Sequence, residues 1–76
     1  MIFAFEIPSF DEEEFTTLYV ETKKEYTLEQ FKEILRGSIK NIDLCKEYYP
    51  ISYNNKFNII RKGYPFITLK LEKEEK

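Results

Sequence analysis

The chain has 76 residues, a net charge of −2, one cysteine and no histidine. That length holds one domain and buries only about 60% of the surface its unfolded form exposes. A lone thiol without imidazole excludes an intrachain disulfide, an ordinary zinc site and every catalytic pair built on histidine.

Apolar mass must therefore come from rings. Seven Phe and six Tyr are present, and each ring can bury about 150–250 Å². A homodimer is a second way to add buried area. No stretch approaches the roughly 20 apolar residues that span a bilayer. MIFAFEIP lacks a basic leader and reaches Glu6 early, so it does not read as a signal peptide. A single free cysteine suits a reducing compartment, and the expected location is cytoplasmic.

MIFAFEI reads as a strand, with Phe3, Phe5 and Ile7 on one face and Ile2 and Ala4 on the other. Apolar on both faces, it has the pattern of a central strand, and Pro8 ends it. In SFDEEEF, Ser9 and Glu12 have capping-box spacing, which allows a single helical turn or an ordered loop. FTTLYVET is the second strand, with Leu18 and Val20 inward and Tyr19 and Glu21 outward. The two strands make a hairpin with a long acidic loop.

Thr27 followed by Gln30 forms a T-x-x-Q capping box, and Tyr26 with Phe31 has the spacing of a hydrophobic staple. Leu28, Phe31, Ile34, Leu35, Ile39 and Ile42 then fall on one helical face. Gly37 either ends this helix or weakens it. NIDLCKEYY reads as helical again up to the residue before Pro50, with Ile42, Cys45 and Tyr49 on one face. KFNIIRKGYPFITLKLE reads as a hairpin turning at Gly63, with Ile67, Leu69 and Leu71 alternating against Phe66, Thr68 and Lys70. Residues 1–71 form one compact domain in this reading, and residues 72–76 a charged, frayed tail. The order β-β-α-(α)-β-β predicts an α+β, two-layer fold: a four-stranded, mostly antiparallel sheet covered by one main helix.

The stretch TLYVETKKEYTLEQFKEIL, residues 17–35, resembles the passage from second strand to helix in ubiquitin-like β-grasp domains. The resemblance implies a β-grasp-like arrangement with the last strand beside the first. For function it implies a binding platform and nothing narrower.

No imidazole acid or base is available. Gly37 and Gly63 are the two glycines, so no glycine-rich phosphate loop exists and no cofactor is expected. Cys45 beside Lys46 has a lowered thiol pKa only if the two approach in space; otherwise it is a small apolar residue on a helix face.

Asp11, Glu12, Glu13 and Glu14 make the densest charge. The run serves as a solvated loop, as a patch that docks on a basic protein, or as a Ca²⁺ or Mg²⁺ site; for the last it lacks ligand spacing and a turn glycine. Residues 1–30 carry eight acids against Lys23 and Lys24, a net charge of −6, which leaves +4 for the remainder.

The acid-free stretch 48–66 carries Lys56, Arg61 and Lys62 among aromatic rings. It suits a stacking platform for single-stranded nucleic acid, although the sequence pI near 5.2 is low for that role. Phe57, Ile59 and Ile60 are instead expected in the core. Tyr19, Tyr53 and Tyr64 remain as exposed interface anchors.

The leading expectation is a non-catalytic binding module that presents Asp11, Glu12, Glu13, Glu14, Tyr19, Tyr53 and Tyr64 to a basic protein partner. Its specific form is an inhibitor of a nucleic-acid-processing enzyme, such as a viral or mobile-element anti-defence protein. The alternatives are a weak single-strand binder using Lys56, Arg61 and Lys62, and a structural subunit dimerising through an edge strand.

Overall fold

The computed structural model describes residues 1–11 and 13–70. Strands β1 (Ile2–Pro8) and β2 (Phe15–Glu21) form the expected antiparallel hairpin, from Ile2 opposite Glu21 to Pro8 opposite Phe15. β1 is apolar on both faces because it is central. Its other neighbour is β3 (Tyr48–Ile51), also antiparallel. Phe3, Phe5, Ile7, Leu18 and Val20 point to one face, where they are buried. Ile2 and Ala4 point to the other and are equally buried.

Helix α1 (Leu28–Leu35) starts as the sequence dictates. The Thr27 hydroxyl accepts from the Gln30 N–H at 3.1 Å, and the Gln30 side chain accepts from the Thr27 N–H at 3.0 Å. Two otherwise orphaned donors are thereby satisfied. Tyr26 closes edge-on against Phe31 at 5.3 Å, completing the staple. Thr27→Ala is expected to destabilise the domain by about 1 kcal/mol, read as a shift of the urea midpoint at unchanged slope.

Gly37 lies beyond the end of α1, where the N–H groups of Ser38 and Ile39 both donate to the Leu35 carbonyl. The turn still delivers Ile39 and Ile42 to the core built by Phe31 and Leu35.

The chain between 42 and 49 differs from the expected second helix. A 3₁₀ turn occupies Ile42–Leu44, and Tyr48–Ile51 is strand β3 with Pro50 inside it. Proline disfavours the helical region for Tyr49. The Tyr48 ring is held 5.2–5.5 Å from Phe5, Phe31 and Phe3. Ile42 and Cys45 remain buried together, while Tyr49 lies exposed on the opposite face.

The hairpin expected over residues 56–71 is also corrected. A 3₁₀ turn at Tyr53–Asn55 runs into helix α2 (Lys56–Arg61). Gly63, at φ +81°, closes that helix. Its N–H donates to the Ile60 carbonyl at 3.0 Å, and the Tyr64 N–H donates to Ile59 at 3.2 Å. This pair of bonds is a Schellman stop, followed by Pro65. Strand β4 (Phe66–Thr68) then pairs parallel to β2. Of Phe57, Ile59 and Ile60, only Ile59 is buried.

The fold is α+β, with a four-stranded mixed sheet in the order β3-β1-β2-β4. The pairings show that β2, β3 and β4 run the same way and β1 against them. Joining like-directed strands needs a crossover. α1 carries the chain from β2 to β3 over one face, packed on Phe3 and Phe5. α2 carries it back from β3 to β4 over the other, where Ile59, Ala4 and Ile51 line one recess. Opposite direction on the opposite face gives both crossovers one hand. The sheet therefore has helices on both faces, rather than one covering layer, and is mixed: β1 pairs antiparallel with β2 and β3, and β4 pairs parallel with β2. The last described strand, β4, lies beside β2. Ile67 and Leu69 pack on the α1 side as expected, while Leu71 and the tail 72–76 lie outside the described residues.

Candidate functional site

The candidate residues fall on two separate surfaces. The first is the tip of the β1–β2 hairpin. The Ser9 N–H donates to the Glu14 carbonyl at 2.9 Å, closing the turn. Asp11 organises its interior: its carboxylate accepts from the Ser9 hydroxyl at 2.5 Å and from the Glu13 N–H at 3.1 Å. Those two bonds, the hydroxyl first, hold the Asp11 carboxyl below its ordinary value. Glu13 and Glu14 stand exposed, and Glu12 lies outside the described residues.

Two rings bracket these acids. Phe10 is 75% exposed and Phe15 is 64% exposed. Phe15 borders a groove of about 630 Å³ that it shares with Glu6, Pro8, Leu28 and Leu44. Phe10 borders another of about 380 Å³ with Thr16, Ile39 and Pro65. Sequence reasoning missed both rings as anchors. The available signal was SFDEEEF itself, where an aromatic stands at each end of an acidic turn: Phe15 falls out of the inward Leu18 and Val20 alternation, and Phe10 lies beyond the Pro8 that ends β1.

The second surface is α2 and its flanks. Tyr64 packs edge-on against Tyr19, ring centres 5.8 Å apart. Tyr53 accepts from the Lys56 ammonium at 3.3 Å, and that ammonium also pairs with Glu21 at 3.0 Å. Arg61 and Lys62 are exposed at the end of the helix. A recess of about 260 Å³ between α2 and the sheet is lined by Tyr19, Tyr49, Tyr64, Asn55, Asn58 and Lys62. The expected tyrosines thus gather with the basic residues. Tyr19 lies four strand positions from Phe15, about 13 Å along β2, and Glu21 with its Tyr53 and Lys56 neighbours about 20 Å.

No known protein family, curated protein or solved structure matches this chain.

Several titratable groups are held in their ordinary charge states. Burial pushes the Cys45 thiol up, and its Sγ sits 3.2 Å from the Glu47 carbonyl. Burial and a neighbouring carboxylate also raise Tyr48, near Glu25, and Tyr49, near Glu6. Lys56 is raised by its bond to Glu21. Asp43 is lowered by Arg36, whose guanidinium grips it at 2.8 Å. Among the described residues no three Cys, Asp or Glu side chains gather as a metal ion requires. No described helix is long and apolar enough to cross a membrane.

Glu21 carries a pH-dependent contribution. Burial alone raises its carboxyl, but hydrogen bonds from Lys56, Tyr53 and Thr68 outweigh burial and leave it below the ordinary 4.5. A carboxyl depressed on folding stabilises the protein above its unfolded value and loses that contribution as pH falls through the folded value. Wild type is therefore expected to exceed Glu21→Gln by about 1 kcal/mol or less at pH 7. Denaturant titrations should show that gap closing below pH 4.5.

Proposed function

We propose that this chain is a small, non-catalytic docking module that presents its hairpin tip to a basic surface on a larger protein. The observation that carries this reading is the exposure of Phe10 and Phe15 on either side of Asp11, Glu13 and Glu14. Interfaces concentrate their energy in a few aromatic anchors inside a polar rim. The tip has that composition, and its turn is fixed by Ser9 and Asp11 before any partner arrives. Preorganisation lowers the entropic cost of docking. Tyr19, Tyr53 and Tyr64 belong to the second surface in this proposal.

The electrostatics favour binding over catalysis. Acid–base and nucleophilic catalysis use raised carboxylates, lowered lysines or lowered thiols. Here Asp11, Glu21 and Asp43 are lowered, while Lys56 and Cys45 are raised. The narrower proposal is an inhibitor acting in the cytoplasm, where a buried free thiol is at ease. Its acidic tip would compete with phosphates for the basic groove of a nucleic-acid-handling enzyme, as a viral or mobile-element anti-defence protein does.

The alternatives have less support. Lys56 is engaged by Glu21, which leaves Arg61 and Lys62 as the exposed cations of the nucleic-acid reading. Two phosphate contacts give only a shallow salt slope and little affinity. For edge-strand dimerisation, Pro50 blunts the β3 edge and β4 has three residues.

The test is charge reversal. Glu13→Lys with Glu14→Lys is expected to weaken capture of the partner from a nuclease-treated lysate by at least about tenfold, with the loss greatest at low salt. Equal capture by variant and wild type would leave the tip as a merely solvated turn.

A further inference from the structure

Helix α2 is turned inside out. The residues that line the recess against the sheet are Asn55, Asn58, Ile59 and Lys62, of which one is apolar. The opposite side carries Phe57, 82% exposed, and Ile60, 48% exposed, one helical turn apart. Tyr53 before α2 and Tyr64 after it are also exposed, as is Arg61 at its end. Among the described residues Phe57 and Ile60 stand outside the core cluster, and Ile59 is the residue of α2 that is buried against the sheet. Contiguous exposed apolar surface of this kind marks an interaction site.

The surrounding charge specifies the occupant. Residues 48–66 contain no acid, and the exposed Arg61 flanks the apolar pair, while Lys62 lies on the recess side. The complement is a surface with exposed aromatic anchors and carboxylates, and the hairpin tip of this same protein is one. Phe10 and Phe15 match Phe57 and Ile60; Glu13 and Glu14 match Arg61. All four apolar residues are exposed in the single chain, so the two patches do not cover each other within one molecule. We infer that the tip also seats on a second copy of this chain, with the hairpin tip of one copy on the outer face of α2 in the next.

This inference rests on the reading of the tip as a docking element and adds a self-contact that the larger partner would displace. The contact joins unlike patches, so it is heterologous. A consequence follows that no like-to-like dimer shares: a variant defective in the tip and a variant defective in the α2 face each keep one working patch, and the two complement each other when mixed.

The experiment is sedimentation of the purified, nuclease-treated chain at about 0.5 mM, in about 50 mM and about 500 mM salt. Wild type is expected to exceed the 9.3 kDa of one chain in low salt and to return to it in high salt. Phe10→Asp and Phe57→Asp are each expected to sediment as single chains in low salt, with unchanged circular dichroism because both rings are exposed. Their equimolar mixture is expected to form a two-chain species. A wild type that stays at the mass of one chain in both salts overturns the inference. So does association that survives Phe10→Asp, or a mixture that fails to complement. Association seen only before nuclease treatment overturns it as well and gives the α2 face to nucleic acid. A single-chain wild type whose capture of a lysate protein is abolished by Phe10→Asp overturns this inference while the tip reading stands.

Discussion

Phe31→Ala should leave the domain largely unfolded at room temperature. Phe31 is fully buried, and its ring lies 5.0 Å from Phe5, 5.3 Å from Tyr26 and Tyr48, and 5.5 Å from Phe3. Those four rings come from β1, β3 and the residue before the Thr27 cap, so one side chain ties α1 to two strands and to its own entry. α1 has eight residues and buries only Phe31 and Leu35. A helix that short does not persist by itself. Removing a buried ring costs about 3–5 kcal/mol, and a core of this size supplies a net stability of about the same amount. Circular dichroism against urea should show no cooperative transition, or one displaced almost to zero denaturant. Phe57→Ala is the control, expected within about 0.5 kcal/mol of wild type because its ring is already in water. A Phe31→Ala variant as stable as that control would mean the ring cluster is not what joins the layers.

The elements legible in the sequence are those whose signals are local. Thr27 and Gln30 satisfy each other within one turn, so the start of α1 needs no tertiary context. β1 and β2 alternate over seven residues each, and the apolar faces of β1 announced its central place. The second half is different. Tyr48–Ile51 is four residues long, contains a proline and shows no alternation that burial would impose, because only the Tyr48 ring enters the core. Lys56–Arg61 spans less than two turns, too short for a 3.6-residue period to emerge, and its apolar residues at 57, 59 and 60 fit a strand as well as a helix. Gly63 is a point of reversal, as its sequence context predicts, but it ends a helix and does not turn a hairpin. A positive φ serves a Schellman stop equally well, and which of the two forms depends on where β4 finds its partner. That partner is β2, with Tyr19 opposite Phe66, 47 residues apart and outside any local window. The fully buried Ile2 and Ala4 already required cover on a second face, and the sequence pattern does not say which segment supplies it.

The candidate site was legible in chemistry and not in place. Asp11, Glu13, Glu14 and the exposed tyrosines could be named from composition, since acids and surplus rings have few reasons to be buried. Their separation onto two surfaces follows from the crossover of α2, which gathers Tyr53 and Tyr64 with Lys56, Arg61 and Lys62 over the far face of the sheet. Phe10, Phe15, Phe57 and Ile60 were invisible as surface residues because a small chain is expected to spend its large apolar side chains on the core. With Phe3, Phe5, Phe31 and Tyr48 already filling the α1 side, these four are surplus to folding.

Truncating the tip rings should separate anchoring from steering. Phe10→Ala and Phe15→Ala are each expected to cost about 2 kcal/mol of partner affinity, on the order of thirtyfold, if the rings are hot spots. The loss should fall on the dissociation rate and change little with salt, because the rings contribute contact and not charge. Glu13→Lys with Glu14→Lys should behave in the opposite way, lowering the association rate steeply at low salt and leaving dissociation nearly unchanged. Surface plasmon resonance against the captured partner reads both rates for each variant. The double ring variant need not lose the sum of the two effects, since Phe10 and Phe15 flank one turn and border separate grooves whose burial is coupled through it. Stability should not move in any of these variants: the Ser9–Glu14 closure and the Asp11 bonds use neither ring nor the two glutamate side chains. A ring truncation that weakens binding only by accelerating unfolding would make the tip a structural element. One that leaves the dissociation rate untouched would shift the anchor to Phe57 and Ile60 on α2.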